Sequence, residues 1–193
     1  LDARLHLLQA QIAPHFLFNT LANVQALVDA GSPHASPVLR SLIQYLRAAV
    51  PLLREPVATI EREMQLVRPY LELMQMRMPD RLQYAMNVDP AVLQLRCPPT
   101  TLLTLVENAV RHGIDPSEEG GRVDIDIART GDRCMVRVTD TGVGLHHSAD
   151  GLGTGLTALR ERLQLIFGDA AQLRLASNGP RGAVVEIDMP AQP

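Results

Sequence analysis

The N-terminal part of the chain, residues 1–80, carries apolar side chains at helical spacing. Apolar residues recur every three or four positions from residue 5 to residue 28, and this pattern ends at a Gly-Ser-Pro sequence. Similar patterns cover residues 39–50 and, after the candidate N-cap Thr59, residues up to about 78. Apolar stripes of this period predict three amphipathic helices, arranged around an N-terminal helical hairpin.

Beyond residue 80 the apolar positions alternate with polar ones, which is the pattern of half-buried strands. The alternation is found at residues 84–88, 123–127, 136–138 and 183–187. Thr130-Gly131-Asp132 joins two of these strands as a hairpin, and two helical patterns lie at residues 100–112 and 155–167. We therefore predict an α+β chain, with a helical domain at residues 1–80 and a mixed domain at residues 81–193.

The composition excludes several classes of protein. A chain of 193 residues, 46% hydrophobic and 20% charged, is long enough for two modest domains. The net charge of −3 provides no broad basic surface, so we expect no direct contact with nucleic acid. Its two cysteines lack CxxC spacing, which argues against a zinc knuckle or a disulfide framework. All 18 basic residues are arginine, which excludes a Walker-type phosphate loop with its lysine.

One candidate site lies on the predicted helix that ends at Gly113. Asn108, Arg111 and His112 are spaced three or four residues apart along this helix, so their side chains share one face. An amide oxygen suits a magnesium ion that bridges phosphates, and a guanidinium group is a fork-shaped donor for phosphate oxygens. The alternative is that Asn108 bonds locally while His112 and Gly113 only cap the helix.

Two glycine-bearing loops follow this helix. Asp140 comes directly after a predicted strand, where its carboxylate can meet the edge of a base, and Gly142 and Gly144 permit close approach of a ligand. A plain turn would also contain these residue types. The second loop opens a helix whose N-terminal N–H groups would bind phosphate oxygens. It comprises Gly151, Gly153, Thr154, Gly155 and Leu156.

Three segments resemble the N box and the two glycine boxes of the GHKL ATPase superfamily: ENAVRHG from Glu107, DTGVG from Asp140 and GLGTGL from Gly151. The resemblance covers about residues 80–190. It implies the α/β sandwich called the Bergerat fold, with ATP as the ligand, Asn108 on Mg²⁺ and Asp140 on the adenine amine. The other residues of the three boxes would surround the nucleotide.

The first predicted helix carries PHFLFN at residues 14–19, which is similar to the signature of the LytS-type sensor histidine kinases. GLTALRERL at residues 155–163 resembles the last box of the same family, so the likeness spans nearly the whole chain. The resemblance implies that His15 accepts the phosphoryl group of Mg-ATP and passes it to an aspartate of a response regulator. A neutral imidazole is a suitable nitrogen nucleophile near physiological pH, and Pro14 removes one helical hydrogen bond beside it.

The sequence does not decide which group accepts the proton of His15 or what Asn19 does. Many histidine kinases have an acidic residue directly after the histidine, but residue 16 is Phe. Glu107 is therefore a candidate proton acceptor, provided that it reaches the site. Asn19, one helical turn after His15, could orient a water molecule for dephosphorylation or could form a hydrogen bond within the helical bundle.

Two alternative functions are compatible with some of these features. An ATPase or a serine kinase of the same superfamily would use the nucleotide site without His15. A degenerate sensor would bind nucleotide without transferring phosphate. This second alternative is motivated by departures from the family pattern, at Leu103, Thr104, Ala158 and Ala183.

The predicted hairpin also indicates a partner. A hairpin with one apolar face buries that face best against a second copy, so we expect a homodimer held by a four-helix bundle. The family resemblance further implies a response regulator, of the type with a LytTR DNA-binding domain. No segment is apolar enough to cross a bilayer, so we expect no membrane contact in this part of the protein. We expect a cytoplasmic location, as the cytosolic part of a bacterial inner-membrane sensor.

Overall fold

The computed structural model describes residues 14–52, 54–145 and 153–192. Its N-terminal part folds into helices α1 (Pro14–Asp29), α2 (Ala35–Leu52) and α3 (Ile60–Arg77). Thr59 is the N-cap of α3, because its side chain accepts a hydrogen bond from the Arg62 N–H at 3.4 Å. The predicted helical turns before Pro14 lie outside the described residues.

The helices pack through the apolar faces that the sequence predicts. Leu42 and Tyr45 of α2 and Leu66 and Leu71 of α3 are almost completely buried. Pro69 lies within α3, and the helix continues through it because its buried face holds it against the rest of the core. Among the described residues, no helix combines the length and the apolar character needed to cross a membrane.

The C-terminal part contains a five-stranded sheet. Its strands are β2 (Leu82–Val88), β4 (Gly121–Thr130), β5 (Arg133–Asp140), β6 (Gln172–Ser177) and β7 (Ala183–Pro190). They lie in the order β2-β4-β5-β7-β6, with β2 and β4 parallel and the other neighbouring strands antiparallel. The predicted hairpin joins β4 to β5 at Gly131, which has a φ of +62°. Strand β6 is the one strand of this sheet that the alternation pattern missed.

Helix α5 (Thr154–Phe167) contacts strand β6 of this sheet, and α4 (Thr101–Asn108) packs against α5. Leu102 and Leu105 of α4 and Leu159 of α5 are fully buried in one core with the inward-facing residues of the central strands. Helices on a mixed sheet form an α/β sandwich, and this sandwich follows a helical N-terminal part. The predicted α+β class is confirmed.

The predicted helix over residues 100–112 has a different form in the structure. It is α-helical only as far as Asn108, and residues Ala109–Ile114 continue it as a π-helix. The wider turn is seen in the hydrogen bond from the Asp115 N–H to the Val110 carbonyl, which spans five residues at 2.8 Å. Such turns cannot be read from an apolar repeat, and they occur frequently at functional sites.

A buried carboxylate joins the helical part to the sandwich. Glu63 of α3 is fully buried and accepts hydrogen bonds from the Thr100 N–H at 2.6 Å and the Leu102 N–H at 2.8 Å. These are N–H groups at the start of α4, where no preceding helical turn supplies an acceptor. Thr100 itself has a φ of +61° and does not cap α4 with its own side chain. Glu63 therefore caps α4 from another helix.

Two further contacts strengthen the same junction. The short strand β1 (Ala58–Thr59), directly before α3, pairs antiparallel with β3 (Arg96–Cys97), shortly before α4. Arg162 of α5 donates hydrogen bonds to the Pro99 carbonyl and, at 2.9 Å, to Thr100 Oγ1. The starts of α3 and α4 and the middle of α5 are thus held together at one place.

We predict that Glu63→Ala lowers the free energy of unfolding by about 3 kcal/mol, because it leaves buried N–H groups of α4 without acceptors. Gln65→Ala is the matched control, since Gln65 is exposed on the same helix. Urea denaturation of both variants measures the difference. Equal, small losses in the two variants would show that the Glu63 cap does not hold this junction.

Candidate active site

A cavity of about 630 Å³ lies between the helical part and the sandwich. Its lining residues come from α1, α3, α4, the π-helix with the following Asp115, and the start of α5. It is lined by Phe16, Asn19, Tyr70, Met74, Arg77, Thr104, Glu107, Asn108, Val110, Arg111, His112, Asp115, Gly153, Thr154, Gly155 and Leu156. The volume is in the range of small-molecule and cofactor sites.

Asn108, Arg111 and His112 all line this cavity, on the face that their spacing defines. Asn108 is half-buried at the last position of α4, and Arg111 and His112 are exposed on the π-helix. An amide oxygen, a guanidinium group and an imidazole therefore open into one space. This is a set of side chains suited to phosphate oxygens and a hard cation.

The described residues do not provide a metal cage of their own. They contain no group of three or more His, Cys, Asp or Glu side chains that could hold a metal ion. Mg²⁺ commonly takes one or two protein ligands and completes its shell with water and substrate phosphates. Asn108 in the cavity wall fits a Mg²⁺ site with few protein ligands.

Glu107 also reaches the cavity. It is half-buried next to Asn108, and burial raises the pKa of its carboxyl group from 4.5 to about 7, while the positive charge of Arg111 lowers it. A carboxyl group with a pKa close to neutrality can accept a proton and release it again. Glu107 thus lines the same cavity as Asn108.

Three aromatic rings from three helices lie beside the cavity. The Phe16 ring of α1 is 5.2 Å from Tyr45 of α2 and 5.4 Å from Tyr70 of α3, measured between ring centroids. Burial raises the pKa of both tyrosines, and the charge of Glu107 raises it further. The cluster fixes residue 16 of α1 against the other two helices.

Because Phe16 directly follows His15, the cluster also fixes the backbone of α1 at His15. The side chain of His15 lies outside the described residues, although its backbone belongs to α1. Phe16 and Asn19, one and four positions after it, both line the cavity. This part of α1 thus runs along the same cavity as Asn108.

Asp140 belongs to a second, adjacent group. Its carboxylate is buried and accepts a hydrogen bond from the Gly142 N–H at 2.9 Å, and burial raises its pKa. A methyl group on Gly113 would overlap the Asp140 carboxylate, and one on Gly142 would overlap the Gly113 carbonyl. Gly113 therefore lies against the Asp140 side chain and Gly142 against the Gly113 backbone, and a Cβ atom on Gly144 would lie 3.2 Å from the Gly182 backbone nitrogen. Residues of this group are absent from the described lining of the large cavity.

The second glycine loop is described from Gly153 onward, and Gly151 lies outside the described residues. Gly153, with a φ of +37°, precedes α5, and Thr154, Gly155 and Leu156 form its first turn. Within the described part of the chain, no side chain caps the start of α5. Gly153 to Leu156 line the cavity, so N–H groups at a helix N-terminus lie beside it, as an anion site requires.

Two family models match the chain. Residues 3–82 match a histidine kinase model, and residues 98–193 match the model described as histidine kinase-, DNA gyrase B-, and HSP90-like ATPase. The chain belongs to the histidine kinase family. The first match covers the helices with the PHFLFN segment, and the second covers the sandwich with the three boxes.

Curated relatives agree with this assignment. Sensor protein LytS of Oceanobacillus iheyensis is 32% identical over 98% of this chain, and sensor histidine kinase YesM of Bacillus subtilis is 31% identical over 99%. The sensor histidine kinase/phosphatase LytS of Staphylococcus aureus is 32% identical over 91% of this chain. The LytS-type resemblance is thereby confirmed. The chain spans only about a third of the length of these relatives, 34%, 34% and 32% respectively.

Solved structures show the same fold at low sequence identity. The catalytic domain of histidine kinase ThkA has a TM-score of 0.55 at 17% identity, covering 71% of this chain and 96% of that chain. Histidine kinase AdeS of Acinetobacter baumannii has a TM-score of 0.53 at 15% identity, covering 93% of this chain and 98% of that chain. The match to the ATPase family model confirms the predicted GHKL domain, and these structures show its fold.

Sequence reasoning missed several residues of the cavity wall. Tyr70, Met74 and Arg77 follow one another on one face of α3, and Asp115 follows the π-helix. The spacing of four and three residues on α3 was a usable signal, but it has the same form as a core face. Only the fold shows that this face meets the N-box helix.

We predict that Gly142→Ala lowers the free energy of unfolding by about 1–3 kcal/mol, because the added methyl group would overlap the Gly113 backbone. Gly155→Ala is the control within the other glycine loop, because among the described residues its methyl group would meet only Thr104 Cγ2, at 3.7 Å. Thermal or urea unfolding should leave the Gly155 variant at or slightly above the wild-type stability. Similar losses in both variants would contradict the close approach of Gly142 to Gly113.

Proposed function

We propose that this chain is the kinase core of a two-component sensor. Residues 1–80 would form the dimerisation and phosphotransfer helices, and residues 81–193 the ATP-binding domain. The observation that carries the proposal is the cavity itself, because residues of α1 directly after His15 and Asn108 of α4 both line it. An acceptor on α1 and a nucleotide held at α4 would therefore share one cavity.

In the proposed reaction, a ring nitrogen of His15 forms a bond to the γ-phosphorus of ATP. The bond from that phosphorus to the oxygen bridging the β- and γ-phosphates breaks, and ADP leaves with the bonding electron pair. The imidazole loses its remaining ring proton to an acceptor. A response-regulator aspartate would then take the phosphoryl group from His15. Positioning and charge neutralisation supply most of the acceleration in phosphoryl transfer.

Mg²⁺ would be held by Asn108 together with phosphate oxygens and water. Bound there, it would neutralise charge that develops on the phosphates. Arg111 and His112 would contact phosphate oxygens from the π-helix, and the N–H groups of residues 153–156 would do so from the start of α5. The support for these roles is that all these residues line one cavity.

Glu107 is the proposed proton acceptor for His15. It lies in the cavity wall next to Asn108, and burial raises the pKa of its carboxyl group to about 7. Phe16 takes the place of the acidic residue that many histidine kinases have after the histidine. A carboxylate supplied by the N-box helix would replace that group.

Asp140 would bind the adenine amine, at the edge of the site formed with Gly113, Gly142 and Gly144. Its burial supports recognition of a neutral base, since a buried carboxylate is an acceptor shielded from water. The base would lie beyond the phosphates, because Asp140 is next to Gly113 and not among the described cavity-lining residues.

Asn19 would orient a water molecule for dephosphorylation of His15. It lies one turn after His15 and in the cavity wall. The Staphylococcus aureus relative is named a kinase/phosphatase, which is consistent with such a second activity at this site.

A homodimer is proposed from the apolar surface of the first two helices. Phe18 is 69% exposed and Val28 61% exposed on α1, although both are large apolar side chains. Other exposed apolar residues continue this surface, at Leu21, Leu39, Ile43 and Val50. A second copy would cover this face in a four-helix bundle.

A response regulator is the proposed receiver of the phosphoryl group. Histidine kinase ThkA was solved in complex with response regulator protein TrrA, and that structure has a TM-score of 0.51 to this chain at 15% identity, covering 99% of this chain and 64% of that chain. We propose a regulator of the LytTR type, and a cytoplasmic location for this part of an inner-membrane sensor.

The departures from the family pattern favour the kinase over a degenerate sensor. Leu103 and Ala183 are buried, and Ala158 is exposed. Only Thr104 of the four lines the cavity. Most of the substitutions therefore lie where they do not remove a cavity-lining group.

We predict that the 193-residue chain, incubated with γ-labelled Mg-ATP, acquires acid-labile and alkali-stable label. His15→Gln should abolish the label while nucleotide binding persists, because only the acceptor is lost. Asn108→Ala should abolish the label and weaken Mg-dependent binding. Label that survives in His15→Gln would exclude His15 as the acceptor, and binding without any label in the wild type would identify a degenerate sensor.

Glu107→Gln should lower the initial rate of label incorporation by about 10²-fold or more, because the side chain keeps its shape but cannot accept a proton. ATP affinity, measured by calorimetry, should change little. Glu118→Gln is the control, since Glu118 is an exposed glutamate outside the cavity wall. An unchanged rate in Glu107→Gln would assign the proton to water or to another group.

A further inference from the structure

Arg77 lies at the α1 end of the cavity. It also lines a smaller groove whose other walls come from α1, α2 and α3, whereas Asn108 and residues 153–156 line only the larger cavity. Phe16 and Asn19 line both spaces together with Arg77. Arg77 is therefore on the side from which His15 would approach a nucleotide, and it comes from the helical part of the chain.

The cavity needs positive charge at this end. Because the chain has no lysine, the only side chains that can supply it are arginines and histidines, and the arginines among the described lining residues are Arg77 and Arg111. Arg111 comes from the N-box side. Glu107 and Asp115 contribute negative charge to the same wall. A triphosphate would be poorly balanced near α1 if Arg77 remained paired with protein alone.

The present partner of Arg77 can be exchanged. Its Nη2 donates to Asp115 Oδ1 at 3.0 Å, and the two side chains are 41% and 47% exposed. Exposed ion pairs of this kind contribute little to stability, so releasing Asp115 costs little. Within the described residues, the guanidinium contacts other side chains through Nη2, whereas a phosphate can accept two parallel N–H groups of a guanidinium.

We propose that Arg77 binds the γ-phosphoryl group of ATP and turns from Asp115 to the phosphate when nucleotide enters the cavity. This inference rests on the proposed function for the identity of the nucleotide. Arg77 would make the helical part of the chain a contributor to the nucleotide site, and not only the carrier of the acceptor. It would also stabilise the negative charge that the γ-phosphoryl oxygens carry during transfer.

The test compares affinities for Mg-ADP and for a non-hydrolysable Mg-ATP analogue, measured by calorimetry on the 193-residue chain. Arg77→Gln should weaken the ATP analogue by about tenfold and leave ADP nearly unchanged, because only ATP carries the γ-phosphate. Arg77→Lys should restore part of the preference, since lysine keeps the charge but not the fork. Arg68→Gln, an exposed arginine on the same helix, should bind both nucleotides like the wild type.

Asp115→Asn separates this role from a structural one. It breaks the same ion pair but keeps the charge of Arg77, so ATP affinity should be retained or increased. If Asp115→Asn and Arg77→Gln weaken ATP equally, or if Arg77→Gln weakens ATP and ADP alike, Arg77 acts only as a structural residue and the proposal fails.

Labelling of His15 in the same variants distinguishes the two proposals. If the wild type labels His15 while Arg77→Gln keeps the ATP preference, only the Arg77 assignment fails. If the ATP preference is lost in Arg77→Gln but the wild type never labels His15, the phosphotransfer proposal fails and the Arg77 assignment stands.

Discussion

The buried carboxylate of Glu63 is the interaction on which the relation between the two halves of this chain depends. Burying a carboxylate is costly, and here burial raises its pKa to about 7 in spite of the backbone N–H groups that lower it. Desolvation outweighs the hydrogen bonds, so the group fixes the position of α4 without being a large net source of stability. Because Glu63 joins α3 to the start of α4, and α4 ends at Asn108, this contact positions Asn108 relative to the helical part of the chain.

The candidate site has two parts, which differ in whether they include residues from both sides of this junction. The wall that would bind phosphate contains residues of both halves, whereas the group around Asp140 belongs to the sandwich alone. Small changes at the junction between α3 and α4 would alter the distance from phosphate to acceptor more than the place of the base. In the proposed reaction, recognition of the base would therefore depend on the sandwich alone, whereas binding and transfer of the terminal phosphate would depend on both halves.

Much of this organisation could be predicted from local patterns, and the rest depends on contacts between distant residues. The helical stripes, four of the five strands of the main sheet and the family boxes all have short-range signals. Strand β6 shows only a brief alternation between turns, so its pattern is weak. Glu63 accepts from a residue 37 positions away, and an acidic side chain on a helix ordinarily faces water. In the sequence, Arg77 is an ordinary polar residue near a helix end, and only the packing of α3 against α4 gives it a place in the cavity wall.

The aromatic cluster has a consequence for spectroscopy. The chain contains no tryptophan and three tyrosines, so its ultraviolet emission comes from tyrosine without transfer to an indole. Tyr45 and Tyr70 lie in the cluster with Phe16, close to the charge of Glu107, and only Tyr84 is on the sheet. Two of the three tyrosines thus lie beside the cavity, which gives the unlabelled molecule its own optical reporters of events there.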